Sequence, residues 1–198
     1  MPDVLHSSLT STEVHEPKGV DTALEGEIYV ADGAGGGAWQ YIVSGWGFYK
    51  DGAAEQTFNT TNAKLSIDGA DSIIETALPR EIRGTGNLWD VTTDDITPIR
   101  AGDSYNVRLD LPVTARTSAN YAEVTVDIGA TGGVTIPVVV RRVEVSRTPP
   151  FTVSIGFPIY CLSTFVTNGG QIFIKTDTGS IGITAPGILL DRNHGEFP

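Results

Sequence analysis

Cysteine is nearly absent from this sequence. A single thiol, Cys161, occurs in 198 residues, so no disulfide can staple the fold. None is needed, because a chain of this length buries roughly 70% of its unfolded surface and can hold itself together by its core. Cys161 stands in the apolar run "IGFPIYCLSTFV", the setting of a small buried thiol and not of a nucleophile. Basic residues are also scarce: 13 Lys plus Arg oppose 24 Asp plus Glu, for a net charge of −11. Such a surface repels a phosphate backbone, which excludes nucleic acid as a partner. Long apolar runs are missing too. "VTIPVVV" and "GILL" fall far short of the ~20 residues that span a bilayer, so no membrane partner is expected. The start "MPDVLHSSLT" has neither the basic opening nor the apolar centre of a secretory signal, and a soluble protein made in a bacterial cytoplasm is expected. Helical period is the last absence; the best stretch, "GADSIIETALPREI", holds one turn or two.

What is present is a β pattern. With 23 glycines and 11 prolines between short apolar segments, the chain reads as all-β. "GEIYVAD" and "AWQYIVSGWGFYK" flank the glycines from Gly33 to Gly37 and predict a hairpin with a flexible tip. "YAEVTVDI" and "SYNVRLDL" alternate strictly, as antiparallel strands with one wet face do. Eight strand segments follow residue 85: "GNLWDV", "SYNVRLDLPV", "YAEVTVDIG", "VTIPVVVRRVEVSR", "FTVSIGFPIYCLSTFV", "QIFIKTD", "GSIGITAPG" and "GILLDR". Eight is the number that closes a two-sheet roll, so the predicted fold is an antiparallel jelly-roll β-sandwich. Residues 1–22 are polar and patternless and read as an extended N-terminal arm. Residues 23–84 read as a hairpin and connecting region packed on the sandwich, with a small, partly helical insert, and residues 85–198 as the sandwich itself.

The search for chemistry returns little. His15-Glu16 resembles half of a zinc-protease motif, but the second histidine four residues on is missing and Pro17 forbids a helix interior. His6 is nine residues away on a chain with nothing to fold it back, and His194 sits close to the C-terminus. "GAGGGA" leads into the strand of Trp39 to Val43 and not into a helix, so it is a hairpin tip and not a phosphate cradle. Gly102-Asp103-Ser104 resembles the nucleophile block of one esterase family, and Asp191 with His194 has the spacing of that family's late block. The helices that such an architecture needs are missing. Asp90, Asp94 and Asp95 lack the glycine turn and the glutamate of a calcium loop. No catalytic, cofactor or metal site is expected, and the chain reads as an interaction protein and not an enzyme.

Two features serve interaction. A polar arm orders on contact with a partner. "FTVSIGFPIYCLSTFV" carries more aromatic residues than one small core requires, which makes Phe151, Phe157, Tyr160 and Phe165 candidates for a subunit interface.

The leader also carries a resemblance. His15-Glu16-Pro17-Lys18-Gly19, a short spacer, a tyrosine-valine strand, Asp-Gly, a glycine-rich tip and Trp39 follow one another as in the N-terminal segment of small virion proteins of tailed bacteriophages, the head decoration, cement or head fibre proteins. The strand rhythm of "YAEVTVDIG" and of "IYCLSTFVTNGGQIFIKTDTGSIGI" is similar to trimeric jelly rolls of the tumour-necrosis-factor and C1q type. The resemblances imply a homotrimer on the exterior of a virion, docked on the major capsid protein by an arm that includes His6 and His15 to Gly19, with a host surface glycan as a further partner. The alternatives are a receptor-binding or tail-fibre tip, the esterase, and a secreted lectin-like domain.

Overall fold

A computed structural model describes residue 23 and residues 27–31, 37–41, 44–79, 81–129 and 133–194. The chain divides into two compact units, residues 1–42 and 43–198. In the first, β1 (Glu27–Ala31) pairs antiparallel with β2 (Gly37–Tyr41), Glu27 opposite Tyr41 and Ala31 opposite Gly37. This is the hairpin that the glycine run predicts; its tip lies outside the described residues.

The second unit contains β3 (Gly45–Lys50), β4 (Glu55–Phe58), β5 (Ala63–Lys64), β6 (Ser72–Ile74), β7 (Trp89–Asp90), β8 (Asp95–Ile96), β9 (Ser104–Thr117), β10 (Tyr121–Asp127), β11 (Pro137–Glu144) and β12 (Phe151–Tyr160), then helix α1 (Ser163–Asn168), β13 (Gly170–Thr176), β14 (Ser180–Thr184) and β15 (Gly187–His194). They make two antiparallel sheets. One runs β4-β14-β9-β15-β3-β6, with β12 also on β9; the other runs β11-β10-β13-β8-β7, with β5 on β13. The chain passes from one sheet to the other between β9 and β10, β11 and β12, β12 and β13, and β13 and β14, which is the jelly-roll β-sandwich read from the sequence.

Alternation sets which side chains meet between the sheets. Along β9, Tyr105, Val107, Leu109, Leu111 and Val113 are buried, and along β12 so are Val153, Ile155, Phe157 and Ile159. Against them pack Ala122, Val124 and Val126 of β10 and Ile172 and Ile174 of β13. Each Val, Leu, Ile or Phe among them contributes about 1.5–3 kcal/mol by leaving water.

Three expectations are corrected. The sandwich does not begin near residue 85, since β3 and β6 extend one of its sheets and β4 borders it on β14. No helix forms among the described residues from Gly69 to Ile82; Ser72–Ile74 instead satisfies its backbone by pairing with Phe48–Lys50 on β3. The one helix among the described residues is α1, in a stretch read as strand. It buries Phe165 and ends at Gly169, whose φ of 73° suits glycine.

Candidate functional site

The arm residues His6, His15, Glu16, Pro17, Lys18 and Gly19 lie outside the described residues. The hairpin that follows them is described. Tyr29 and Trp39 face each other edge-on, ring centroids 5.4 Å apart at 67°. Gly37 is tied to that contact, because a Cβ there would stand 2.8 Å from the Tyr29 ring and 2.4 Å from the Val30 carbonyl oxygen.

The aromatic interface candidates separate. Phe157 is 3% exposed and Phe165 1%, so both fill the chain's own core and are not available to a neighbour. Gly170 gives way to Phe165, since a Cβ there would lie 2.5 Å from its ring. Phe151 is half-buried, with the Arg147 guanidinium 4.6 Å above its ring centre. Tyr160, which is out of phase with the buried positions of β12, is 63% exposed.

The Gly102-Asp103-Ser104 block holds structure together. Ser104 stands opposite His194 in the β9–β15 register, while Asp191 stands opposite Asn106. The nearest backbone donors for an oxyanion are already committed: Gly102 N–H donates to the Cys161 carbonyl at 2.8 Å and Asp103 N–H to the Arg100 carbonyl at 3.4 Å. Asp103 is fully buried and accepts from Arg192 Nη2 at 2.7 Å, from the Tyr105 hydroxyl at 3.0 Å and from Arg100 N–H at 3.1 Å. Arg192, also fully buried, reaches Glu81 with its other terminal nitrogen, Nη1, and Glu81 holds Arg100 at 3.2 Å. Burial works to lower the Arg192 pKa, but the hydrogen bond and charge of Asp103 outweigh it and leave it raised. Burial likewise raises the Tyr105 hydroxyl and, with the Asp103 charge, pushes the Cys161 thiol up to about 12.

The acidic loop is also spent on structure. Asp90 caps the N–H groups of Thr92 and Thr93, Asp94 accepts from the Ser66 hydroxyl and Ile67 N–H, and Asp95 pairs with Lys64 at 2.8 Å. No cluster of His, Cys, Asp or Glu suited to a metal occurs among the described residues.

The surface that stands apart is the outer face of the sheet containing β3, β15, β9 and β12. Register aligns its outward side chains in rows: Trp46, Asp191, Asn106 and Pro158 in one, and Ile74, Phe48, Leu189, Arg108 and Gly156 in the next. Two shallow clefts of about 500 and 390 Å³ adjoin there, sharing Arg108, Leu189 and Asp191. The wet face of an antiparallel sheet is ordinarily polar, yet Trp46 and Ile74 are each 38% exposed beside half-buried Phe48 and Leu189. Sequence alternation marks these positions as outward, and their apolar character was the signal that reasoning from the sequence passed over.

No family model matches the sequence, and neither does any curated protein. Solved structures do. PRD1 vertex protein P5 is similar over 85% of this chain and 83% of its own, at 12% identity and a TM-score of 0.52, which is a likeness of fold. Eiger TNF from S. frugiperda overlaps more loosely, over 79% of this chain and 98% of its own, at 8% identity and a TM-score of 0.37. No helix among the described residues is long and apolar enough to cross a membrane.

Proposed function

We propose that the protein is a bacteriophage virion structural protein. It binds the outside of the capsid as a homotrimer, docks on the major capsid protein through residues 1–22, and stabilises or decorates the shell. The observation that carries this reading is the leader: the order His15-Glu16-Pro17-Lys18-Gly19, spacer, tyrosine-valine strand, glycine tip and Trp39 resembles phage decoration and head fibre proteins. Its second half folds as the β1–β2 hairpin closed by Tyr29 and Trp39. The jelly-roll body supports the reading, being similar in fold to a virion vertex protein.

The physics of the role is linkage. A clamp that binds the assembled lattice and not the free subunit stabilises the lattice by mass action. Three arms on one trimer turn weak contacts into a firm hold through effective concentration. The charge of −11 keeps the particle soluble and away from free nucleic acid.

The test is co-sedimentation with phage capsids. Removal of residues 1–22 reduces the bound fraction to background while the mass in solution stays that of the full-length assembly. Retained binding would take the arm out of the function. Antibody label on the tail instead of the shell would make the protein a receptor-binding tip.

A further inference from the structure

We infer that the outer face of the sheet formed by β3, β15, β9 and β12 is a binding site for a neutral oligosaccharide. The site goes beyond the capsid reading and does not depend on it.

Strand order gives the site its shape. The two clefts join at Arg108, Leu189 and Asp191 and make one shallow trough that crosses the sheet from Trp46 to Pro158. Three spacings of about 4.8 Å separate β3 from β12, so the trough runs about 14 Å, the reach of a short oligosaccharide and not of one sugar ring. Gly156 keeps one end open. A Cβ there would meet only the Val107 carbonyl oxygen, at 4.0 Å, so packing within the chain does not call for glycine at this position. What the glycine preserves is room on the outer side.

The lining has two kinds of surface, and a sugar chain has the same two. A pyranose ring offers a flat apolar face of C–H groups and a rim of hydroxyls that both donate and accept. Trp46, 38% exposed, with half-buried Phe48 and Leu189 beside it, supplies apolar surface for the first. Asp191 and Asn106 supply partners for the second. Among the described residues neither side chain has a hydrogen bond or ion pair, and the two stand opposite each other in the row that begins with Trp46. A carboxylate only accepts and an amide does both, so hydroxyls of either orientation are served. An apolar protein surface laid here would strand the Asp191 carboxylate away from water, a cost that the hydroxyl donors of a sugar avoid.

Charge decides the class of sugar. Arg108 donates from Nε to Asp110 at 3.1 Å, and Lys50, in the next row, pairs with Asp71 at 2.8 Å. Both cations are thereby offset, whereas Asp191 is left as uncompensated negative charge. On a chain of net −11 an acidic glycan is repelled and a neutral one is not.

The experiment applies the labelled full chain to an array of neutral oligosaccharides built on glucose, mannose, galactose and N-acetylglucosamine, with sialylated and sulfated ones beside them. Each oligosaccharide retained is then titrated by calorimetry. Neutral oligosaccharides are retained, with dissociation constants between millimolar and micromolar, and acidic ones are not. Trp46→Ala and Gly156→Leu each weaken binding about tenfold or more while keeping the wild-type circular dichroism spectrum and mass in solution. Asp191→Ala gives the same loss should Trp46→Ala fail to fold. An array that retains no neutral oligosaccharide would overturn the site, as would retention of acidic ones alone or unchanged affinity in the folded variants. A fall in mass for Gly156→Leu would show another copy of the chain covering the trough, and would overturn it too. Co-sedimentation with capsids is measured separately, so failure of this site and failure of the capsid reading are told apart.

Discussion

Arg192 Nη2 donates to Asp103 Oδ1 at 2.7 Å, and neither side chain reaches solvent. The pair joins the last strand of the sandwich to the entry of its longest, since Arg192 stands opposite Tyr105 on β9. Asp103→Ala leaves a buried guanidinium short of its main counter-charge and costs about 3–5 kcal/mol. Urea unfolding measures the loss. Asp103→Leu with Arg192→Met recovers most of it, because an apolar pair removes the desolvation that the ions incur.

Acid sensitivity is expected at Glu123. Its hydrogen bond with Lys175, 2.8 Å away, and then Arg142 hold the carboxyl below its usual value. A depressed folded pKa means stability that is fully present above the unfolded value of 4.5 and is lost as pH falls through the folded one. Glu123→Gln therefore unfolds at nearly the same urea concentration at pH 7 and pH 3 as far as this site is concerned. The difference between the two midpoints is smaller than in the wild type.

Cys161 is buried, with a thiol pKa near 12. The thiolate is the reactive species, so a disulfide reagent at pH 8 leaves the native protein unlabelled and modifies one thiol per chain in denaturant. Rapid labelling of the native protein would contradict the buried position.

Gly179, at the turn between β13 and β14, has φ of 59°, and a Cβ there would fall 1.6 Å from the Thr117 carbonyl oxygen. Gly179→Ala combines backbone strain with a clash that only backbone movement relieves. A loss of more than about 3 kcal/mol, read as a drop in melting temperature, is expected.

The parts of the fold legible in the sequence are those where one local rule decides. Alternation in "SYNVRLDLPV" and "YAEVTVDIG" puts Val107, Leu109, Val124 and Val126 inside, as observed. The same rule, carried along "FTVSIGFPIY", separates Phe157 from Tyr160, because Val153, Ile155, Phe157 and Ile159 share a phase that Tyr160 does not. Phe165 escapes the rule because α1 changes the period before it. Arg192 was not legible at all. Nothing in "GILLDRNH" marks it as buried, and only the pairing with β9 sets it beside Asp103. The β3–β15 face is a similar case: Trp46 and Leu189 become neighbours through register between segments far apart in sequence.

The pairing of β3 with β15 also bears on how the protein is made. Lys50 finds its partner in Gly187, 137 positions later. At about 5–20 residues per second, a ribosome takes roughly 7–27 s to cover that distance. For that long after they emerge from the ribosome, Phe48 and Tyr49 lack the strand that shelters them. The nascent chain is then a substrate for chaperones, and a message truncated before codon 187 yields a polypeptide whose early strands never acquire their cover.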